Sequence, residues 1–122
     1  MEVHIGTRKV KALVDSGNSF GSCISQQLFE ELGMSEKDLI PLASKLTVAT
    51  ASQGANMEVK GQMQHPLYFY IGDYPEPFIM KPYVIPGLGM AMNLSKTFLV
   101  ENKIDELHSL NVLRYQASLI SR

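Results

Sequence analysis

The tripeptide Asp15-Ser16-Gly17 is the part of this sequence whose residue types most clearly suggest chemistry. It directly follows an apolar run at positions 12–14, so a strand-like segment delivers a carboxylate into a tight turn. Asp15 could simply start an Asx-type turn, because Asp, Ser and Gly are common turn residues. Alternatively, its carboxylate could serve as a general acid or base, which requires a side chain held in a fixed position.

Other kinds of chemical site are poorly indicated. His4, His65 and His108 each lack a second His or a Cys at ligand spacing, so no metal is expected. The glycines of segment 87–89 lack the third glycine of a dinucleotide-binding loop. Cys23 has no base partner that the sequence identifies, and we expect it to be a small buried hydrophobic residue. No cofactor is expected.

Composition and charge narrow the function class. The chain has 122 residues, which predicts a single domain over residues 1–122. The net charge of -1 with both signs scattered argues against nucleic acid and anionic membranes as partners. No apolar run approaches the roughly 20 residues of a membrane span. The single cysteine excludes an internal disulfide and fits a reducing compartment.

Hydrophobic alternation predicts a mainly β protein with one or two short helices. Runs with a period of two residues, bounded by Gly, Pro, Asn and Asp, are typical of half-buried strands. The predicted strands are 3–5, 8–14, 22–24, 45–50, 57–63, 67–71 and 78–85, with a last strand within 112–120.

Two helices are predicted from their capping residues. Ser25 is a good N-cap for a helix over 26–32, and Gly33 lies where a C-cap glycine belongs. A second helix is expected to begin after either Asn93 or Ser95 and to continue its apolar face to position 107.

A hairpin with a mobile tip is predicted between the strands 45–50 and 57–63. Its connecting residues are small and polar and include a glycine, which permits many backbone conformations. The tip residues are Ala51, Ser52, Gln53, Gly54 and Ala55.

The order of these elements resembles the retropepsins, the aspartic proteases of retroviruses and LTR retrotransposons. The resemblance is carried by ALVDSGNSFGSCIS, by VATASQGANMEVKG in the position of the flap, and by YVIPGLGMAMNLSKTFL in the position of the second apolar-Gly segment and helix. It covers nearly the whole chain. It implies an all-β, retropepsin-like acid protease half-barrel with one lobe per subunit.

The resemblance also implies roles for individual residues. Asp15 would be the catalytic residue, Ser16 would donate a hydrogen bond in the network supporting the active-site loops, and Gly17 would let backbone approach the carboxylates. Residues 51–55 would form the flap that covers an extended peptide substrate. Asn18 stands where the family usually has a small residue such as Ala, a departure that affects either substrate contacts or the local turn.

The chemistry of this family requires two carboxylates in one site, one ionised and one protonated. The chain contains one Asp-Ser-Gly and no Asp-Thr-Gly, so a single copy cannot supply both. We therefore expect a symmetric homodimer, with Asp15 of each subunit meeting at the two-fold axis.

The expected substrate is the precursor polyprotein that encodes the domain, cleaved between hydrophobic residues. The chain begins in strand-like sequence at positions 2–5, which leads us to expect a domain from a longer precursor. The expected location is the cytoplasm or the inside of a virus-like particle. Two alternatives remain open: the same enzyme carried by a cellular protein, and a catalytically silent domain used for dimerisation or peptide binding.

The start of the second helix departs from the family pattern. Family members commonly have two apolar residues, a glycine, an apolar residue or arginine, and then Asp or Asn. This chain has Leu88-Gly89-Met90-Ala91, with Ala91 in place of the acid or amide. Either Asn93 takes over the capping role or the alignment is shifted.

Overall fold

In a computed structural model of the chain, the described residues are 1–15, 17, 18, 20–49 and 56–104. Strands dominate these residues, as the hydrophobic alternation predicts. The strands are β1 (Glu2–Ile5), β2 (Arg8–Asp15), β3 (Cys23–Ser25), β4 (Leu39–Ile40), β5 (Thr47–Ala49), β6 (Asn56–Glu58), β7 (Gly61–Met63), β8 (Leu67–Ile71), β9 (Phe78–Met80), β10 (Tyr83–Ile85) and β11 (Met92–Ser95). The helices are α1 (Gln26–Glu31), α2 (Lys96–Glu101) and a short 3-10 helix (Glu36–Asp38).

Nine of these strands form one sheet in the order β4-β7-β10-β3-β11-β2-β1-β8-β9, and β5 pairs with β6 in a separate hairpin. The sheet curls into a half-barrel. Most neighbours are antiparallel, but β11 runs parallel to β2 and β10 runs parallel to β3. The mainly β architecture predicted from the sequence is therefore confirmed.

The parallel pair β2–β11 sets the position of the candidate site. Its register runs from Met92 opposite Ala12 to Ser95 opposite Asp15. Because parallel strands point the same way, the two strands end side by side. The last residue of β2 thus lies next to the first turn of α2.

The core lies on one face of the sheet. On β8, Leu67, Phe69 and Ile71 are buried while Tyr68 and Tyr70 are exposed, the alternation of a sheet with one solvated face. A second, smaller cluster lies beneath the hairpin. Its buried members are Cys23, Val48, Val59, Ile85 and Leu88.

The predicted cap of α1 is confirmed. The Oγ of Ser25 accepts a hydrogen bond from the N–H of Leu28 at 3.0 Å. Gly33 has a φ of 81° and donates its N–H to the carbonyl of Glu30, so this residue needs the left-handed freedom of glycine.

The second helix is capped by Ser95, whose Oγ accepts from the N–H of Phe98 at 3.2 Å. Asn93 is not the cap, because it lies within β11. The helix therefore begins at Lys96, later in the chain than the family pattern around Gly89 and Ala91 would place it. The helix ends at Glu101, before position 104, since Lys103 turns the chain with a φ of 57°.

Two of the predicted strands are each divided in two. The stretch 78–85 breaks between β9 and β10 at Pro82, which has no N–H to donate to a ladder. The stretch 57–63 breaks because consecutive N–H groups bond to different partners: Val59 donates to the carbonyl of Leu46, and Lys60 to that of Val84. The hairpin partner of β6 is therefore lost before β7 begins.

Other expectations differ in their bounds or cannot be compared. The strand expected at 22–24 lies one residue later, and that expected at 45–50 is observed over Thr47–Ala49. The predicted last strand within 112–120 and the predicted helix beyond 104 lie outside the described residues. Within the described ranges, no helix is long and apolar enough to cross a membrane.

Candidate active site

Asp15 is the last residue of β2 and is only 7% exposed. An ionisable side chain that is this buried requires hydrogen-bond partners. The N–H of Gly17 donates to Oδ1 at 3.1 Å, and the Nδ2 of Asn93 donates to Oδ2 at 3.1 Å. Each carboxylate oxygen therefore accepts a hydrogen bond, which holds the group in one orientation.

The contact between Gly17 and Asp15 is that of an Asx turn, in which a side-chain oxygen accepts from the N–H two residues later. The N–H of Asn18 also donates to the main-chain carbonyl of Asp15 at 3.0 Å. The backbone of Gly17 is thus in direct contact with the carboxylate. Ser16, to which a supporting hydrogen bond was assigned, lies outside the described residues.

Asn18 organises the loop that follows. Its side chain is 3% exposed, and its Oδ1 accepts from the N–H groups of Phe20 and Gly21 at 3.0 and 3.3 Å. Its Nδ2 donates to the carbonyl of Gly21 and to the Oδ1 of Asn93, both at 2.9 Å. The departure from a small residue at position 18 therefore affects the local turn, one of the two outcomes expected.

Asn93 is the residue of the site that sequence reasoning missed. The sequence indicates it only as a possible helix cap, yet it is fully buried on β11 and bonds to Asp15, 78 positions earlier in the chain. One sequence feature could have identified it. An amide between Met92 and Leu94 on an apolar stretch must find a partner if the stretch is buried.

A pair of serines continues the polar cluster on its other side. The Oγ of Ser22 donates to the Oγ of Ser95 at 3.2 Å and accepts from the N–H of Ser95 at 3.0 Å. Both side chains are buried. They tie the segment before β3 to the end of β11, next to Asp15.

An aromatic contact secures the loop on its outer side. The rings of Phe20 and Tyr83 lie 4.5 Å apart between centroids, and Phe20 is 37% exposed. A Cβ at Gly21 would lie 2.9 Å from the Cε2 of Tyr83, closer than carbon atoms approach. The glycine is needed so that the ring of Tyr83 can lie against the loop.

Cys23 does not have the properties of a nucleophile. It is fully buried on β3, and its Sγ donates to the carbonyl of Gly21 at 3.2 Å. Burial raises the pKa of the thiol to about 12, with a further rise from the charge of Asp15 and an opposing effect of a hydrogen bond with Asn18. The thiol is neutral near pH 7, so the expectation of a small buried residue is confirmed.

The loop also has the spacing G-x-S-x-G, from Gly17 to Gly21. In α/β-hydrolases this spacing marks a serine nucleophile on a strand-to-helix turn. Here the next element is the strand β3, and α1 begins only after it. The strand-to-helix context is not met, and the serine, Ser19, lies outside the described residues.

The remaining expected site residues belong to the hairpin. Strands β5 and β6 form its base, with Val48 paired to Met57. The predicted tip residues, 51–55, lie outside the described residues. Among residues 1–15, 17, 18, 20–49 and 56–104, no group of three or more His, Cys, Asp or Glu side chains could hold a metal ion.

No protein-family model and no curated protein matches this chain. Among solved structures, the chain is similar to the retroviral protease-like domain of Ddi1 from Leishmania major, with a TM-score of 0.63. The two are 21% identical over 88% of this chain and 80% of that chain. At this level of identity the likeness concerns the fold, and it agrees with the half-barrel sheet described above. The chain therefore has a retropepsin-like fold.

Proposed function

We propose that this protein is a homodimeric aspartic endopeptidase in which each subunit supplies one Asp15. The observation that supports this most directly is the carboxylate itself. It lies at the end of a central strand of a retropepsin-like fold and is oriented by Gly17 and Asn93. A general acid or base needs this kind of fixed position.

Two copies are needed because the reaction requires two carboxylates in different protonation states. Like charges held close together cannot both ionise easily, so the pair shares one proton over a range of pH. Its apparent pKa values belong to the pair rather than to one residue. A two-fold axis beside Asp15 supplies the second carboxylate from an identical subunit.

The reaction proceeds by addition of water to the peptide carbonyl. The ionised carboxylate takes a proton from the water molecule while the oxygen of that water bonds to the peptide carbonyl carbon. The protonated carboxyl gives its proton to the carbonyl oxygen. The tetrahedral intermediate then breaks its C–N bond. One hydroxyl proton returns to a carboxylate, and the leaving nitrogen receives a proton from the pair, which restores the starting state.

The proposed substrate is an extended segment of the precursor polyprotein, covered by the hairpin β5–β6 and its tip residues 51–55. Backbone hydrogen bonds to a flap bind such a segment, and closure excludes water. Phe20, partly exposed beside the loop that follows Asp15, adds an apolar surface. We therefore propose cleavage between hydrophobic residues. The proposed location is the cytoplasm or the inside of a virus-like particle.

The test is a peptide-cleavage assay at mildly acidic pH, combined with sedimentation to measure the oligomeric state. Asp15→Asn keeps the side-chain size and removes the ionisable group, so we expect activity to fall by at least about 1,000-fold. Asp73→Asn, in an exposed turn, is the matched control and should retain activity. Cleavage that survives Asp15→Asn would show that the proposal is wrong.

The alternative function is a catalytically silent domain for dimerisation or peptide binding. It is favoured by one feature: the contacts of Asp15 with Gly17 and Asn93 would stabilise a turn whether or not the carboxylate reacts. This alternative predicts that wild type and Asp15→Asn dimerise or bind peptides equally well and that neither cleaves. A wild type that remains monomeric at assay concentration would favour the peptide-binding form of this alternative and exclude the dimerisation form.

A further inference from the structure

We infer that Asn93 is a positioning residue that presents an N–H donor, and never its oxygen, to the Asp15 carboxylate, and that Asn18 fixes this direction. The amide of an asparagine has a donor end and an acceptor end, and only the surrounding hydrogen bonds decide which way it points. In this chain the deciding bonds can be followed from the backbone to Asp15.

The orientation of Asn18 is set by the backbone. Two N–H groups, those of Phe20 and Gly21, point at the same atom of its side chain, so that atom must be the oxygen. The nitrogen then faces the other way. It donates one hydrogen to the carbonyl of Gly21 and one to Asn93, which uses both of its donors.

The orientation of Asn93 follows from that of Asn18. The atom of Asn93 that receives the hydrogen of Asn18 must be its Oδ1, at 2.9 Å. Its Nδ2 is consequently the atom that faces the Oδ2 of Asp15, at 3.1 Å. The chain of donors therefore starts at two backbone N–H groups and ends on the carboxylate.

Burial makes this direction consequential. Asn93 is fully buried and Asn18 is 3% exposed, so water cannot substitute for a missing partner. Turning the amide of Asn93 over would place its oxygen against a carboxylate oxygen, and would leave one of the two Nδ2 hydrogens of Asn18 without an acceptor. A donor to the charged form of an acid favours that form, and an acceptor disfavours it.

Few other titratable groups face Asp15 among the described residues. From β3 it faces the thiol of Cys23, which stays neutral at ordinary pH because its pKa is raised to about 12. Strand β11 carries Met92, Asn93, Leu94 and Ser95, none of which titrates. Lys96, which follows on α2, is exposed. In the proposed dimer, Asp15 of the second copy adds the other charge.

The activity readout of this role rests on the proposed function. Asn93→Leu keeps the number and branching of the side-chain heavy atoms and removes the donor. We expect kcat to fall about 10- to 100-fold with KM little changed, because Asn93 is fully buried and a peptide bound at the surface would not reach it. The acidic limb of the pH–activity profile should move to higher pH, because a donor to the charged carboxylate is lost. Asn102→Leu, which removes an amide that bonds to the carbonyl of Phe98, is the control and should leave the profile in place.

Asn18→Asp tests the direction itself. The new carboxylate can still accept from the two backbone N–H groups but cannot donate to Asn93, whose amide must then turn over. We expect the acidic limb to move as it does in Asn93→Leu, and to move little further when both changes are combined. If Asn18→Asp moves the profile equally in both backgrounds, its charge alone is responsible and the role of Asn18 is wrong.

A measurement without activity separates this inference from the proposed function. Melting temperatures are compared for wild type, Asn93→Leu, Asp15→Asn and the double variant. At pH 7 we expect Asn93→Leu to lower the melting temperature by roughly 5 °C more when Asp15 is present than when it is Asn, since the lost bond is then charge-assisted. The difference should shrink as the carboxyl is protonated at low pH.

Equal losses in the two backgrounds, or a pH–activity profile of unchanged shape, would overturn the role of Asn93 even if the protein cleaves peptides. Conversely, a wild type that cleaves nothing but shows the expected coupling would reject the peptidase and keep the donor chain. If Asn93→Leu does not fold, Asn18→Asp replaces it in the same comparison with Asp15→Asn.

Discussion

Two regions of the same sheet are stabilised in different ways. The site end, formed by Asp15, Asn18, Ser22, Asn93 and Ser95, is buried and polar, and its members are joined by hydrogen bonds. The aromatic ribbon, formed by β8 and β9 against α2, is held by the rings of Phe69, Phe78 and Phe98. Their centroids lie 5.7 to 6.1 Å apart.

The difference lies in how each region tolerates change. Apolar packing has little directionality, so the ribbon can exchange one hydrophobic side chain for another of similar volume at modest cost. A buried hydrogen bond depends on which atom donates, so an isosteric change at the site end leaves a polar atom without a partner. We expect changes in the ribbon to alter stability, and changes at the site end to alter function as well.

The largest effect on stability is expected from Phe69→Ala. Phe69 is fully buried and contacts the rings of both Phe78 and Phe98, so its truncation should lower the free energy of unfolding by about 3–5 kcal/mol. Urea denaturation measures this. Tyr68→Ala, one residue away on the exposed face, should cost less than about 1 kcal/mol.

For the folded fraction of Phe69→Ala, kcat should be close to that of the wild type. A large drop in kcat per folded dimer would contradict the distinction between the two regions, because it would mean that packing in the ribbon affects the site end. Dimer content should be measured in the same samples, since loss of dimer lowers activity without any change at Asp15.

The parts of the fold that could be predicted from the sequence are those set by local patterns. Strand β2, helix α1 and their boundaries follow from alternation and from the caps Ser25 and Gly33. The division of 57–63 could not be predicted, because alternation continues across the break and only the pairing partner changes there, which leaves no local pattern. Alternation also continues across 78–85, but Pro82 is a local signal for that break, since proline has no N–H to donate to a ladder.

Only the local part of the site could be predicted from the sequence, because contacts between distant strands leave no local pattern. Asp15 and Gly17 are neighbours in sequence, and their turn is a local motif. Asn93 reaches Asp15 only because β11 runs parallel to β2, a contact that closes a long loop. Asn18 could be recognised as a departure from the family pattern, but its donor role depends on where Asn93 lies.

An intermediate effect is expected from the matched caps Ser25 and Ser95. Each accepts a hydrogen bond at the start of a six-residue helix, but Ser95 also pairs with Ser22. Ser25→Ala should cost about 1 kcal/mol and Ser95→Ala about 2 kcal/mol, since the second change also removes the acceptor to which the buried Ser22 hydroxyl donates. Urea denaturation of the two variants gives the comparison.

Measuring kcat of the two cap variants separates helix capping from an effect on the site. Ser95 lies opposite Asp15 in the sheet register, so Ser95→Ala should lower kcat, whereas Ser25→Ala should not. If both serines reduce stability and kcat by the same amounts, helix capping accounts for everything and the serine pair adds nothing to the site end.

The remaining effect, between those of the two caps in size, concerns Cys23, a buried member of the smaller apolar cluster. Burial raises the pKa of its thiol from 9.0 to about 12, so the folded protein disfavours the thiolate. The resulting stability is fully present below pH 9.0 and is lost as the pH rises toward 12, because only the unfolded chain releases the proton over this range. Between pH 8 and pH 10 this loss amounts to about 1.4 kcal/mol.

Urea denaturation at both pH values should show this loss in the wild type and not in Cys23→Ala, since other titrating groups contribute equally to both. Equal pH dependence of the wild type and Cys23→Ala would mean that water reaches the thiol. Water could then also replace lost hydrogen-bond partners at the site end, and substitutions there would cost less than expected.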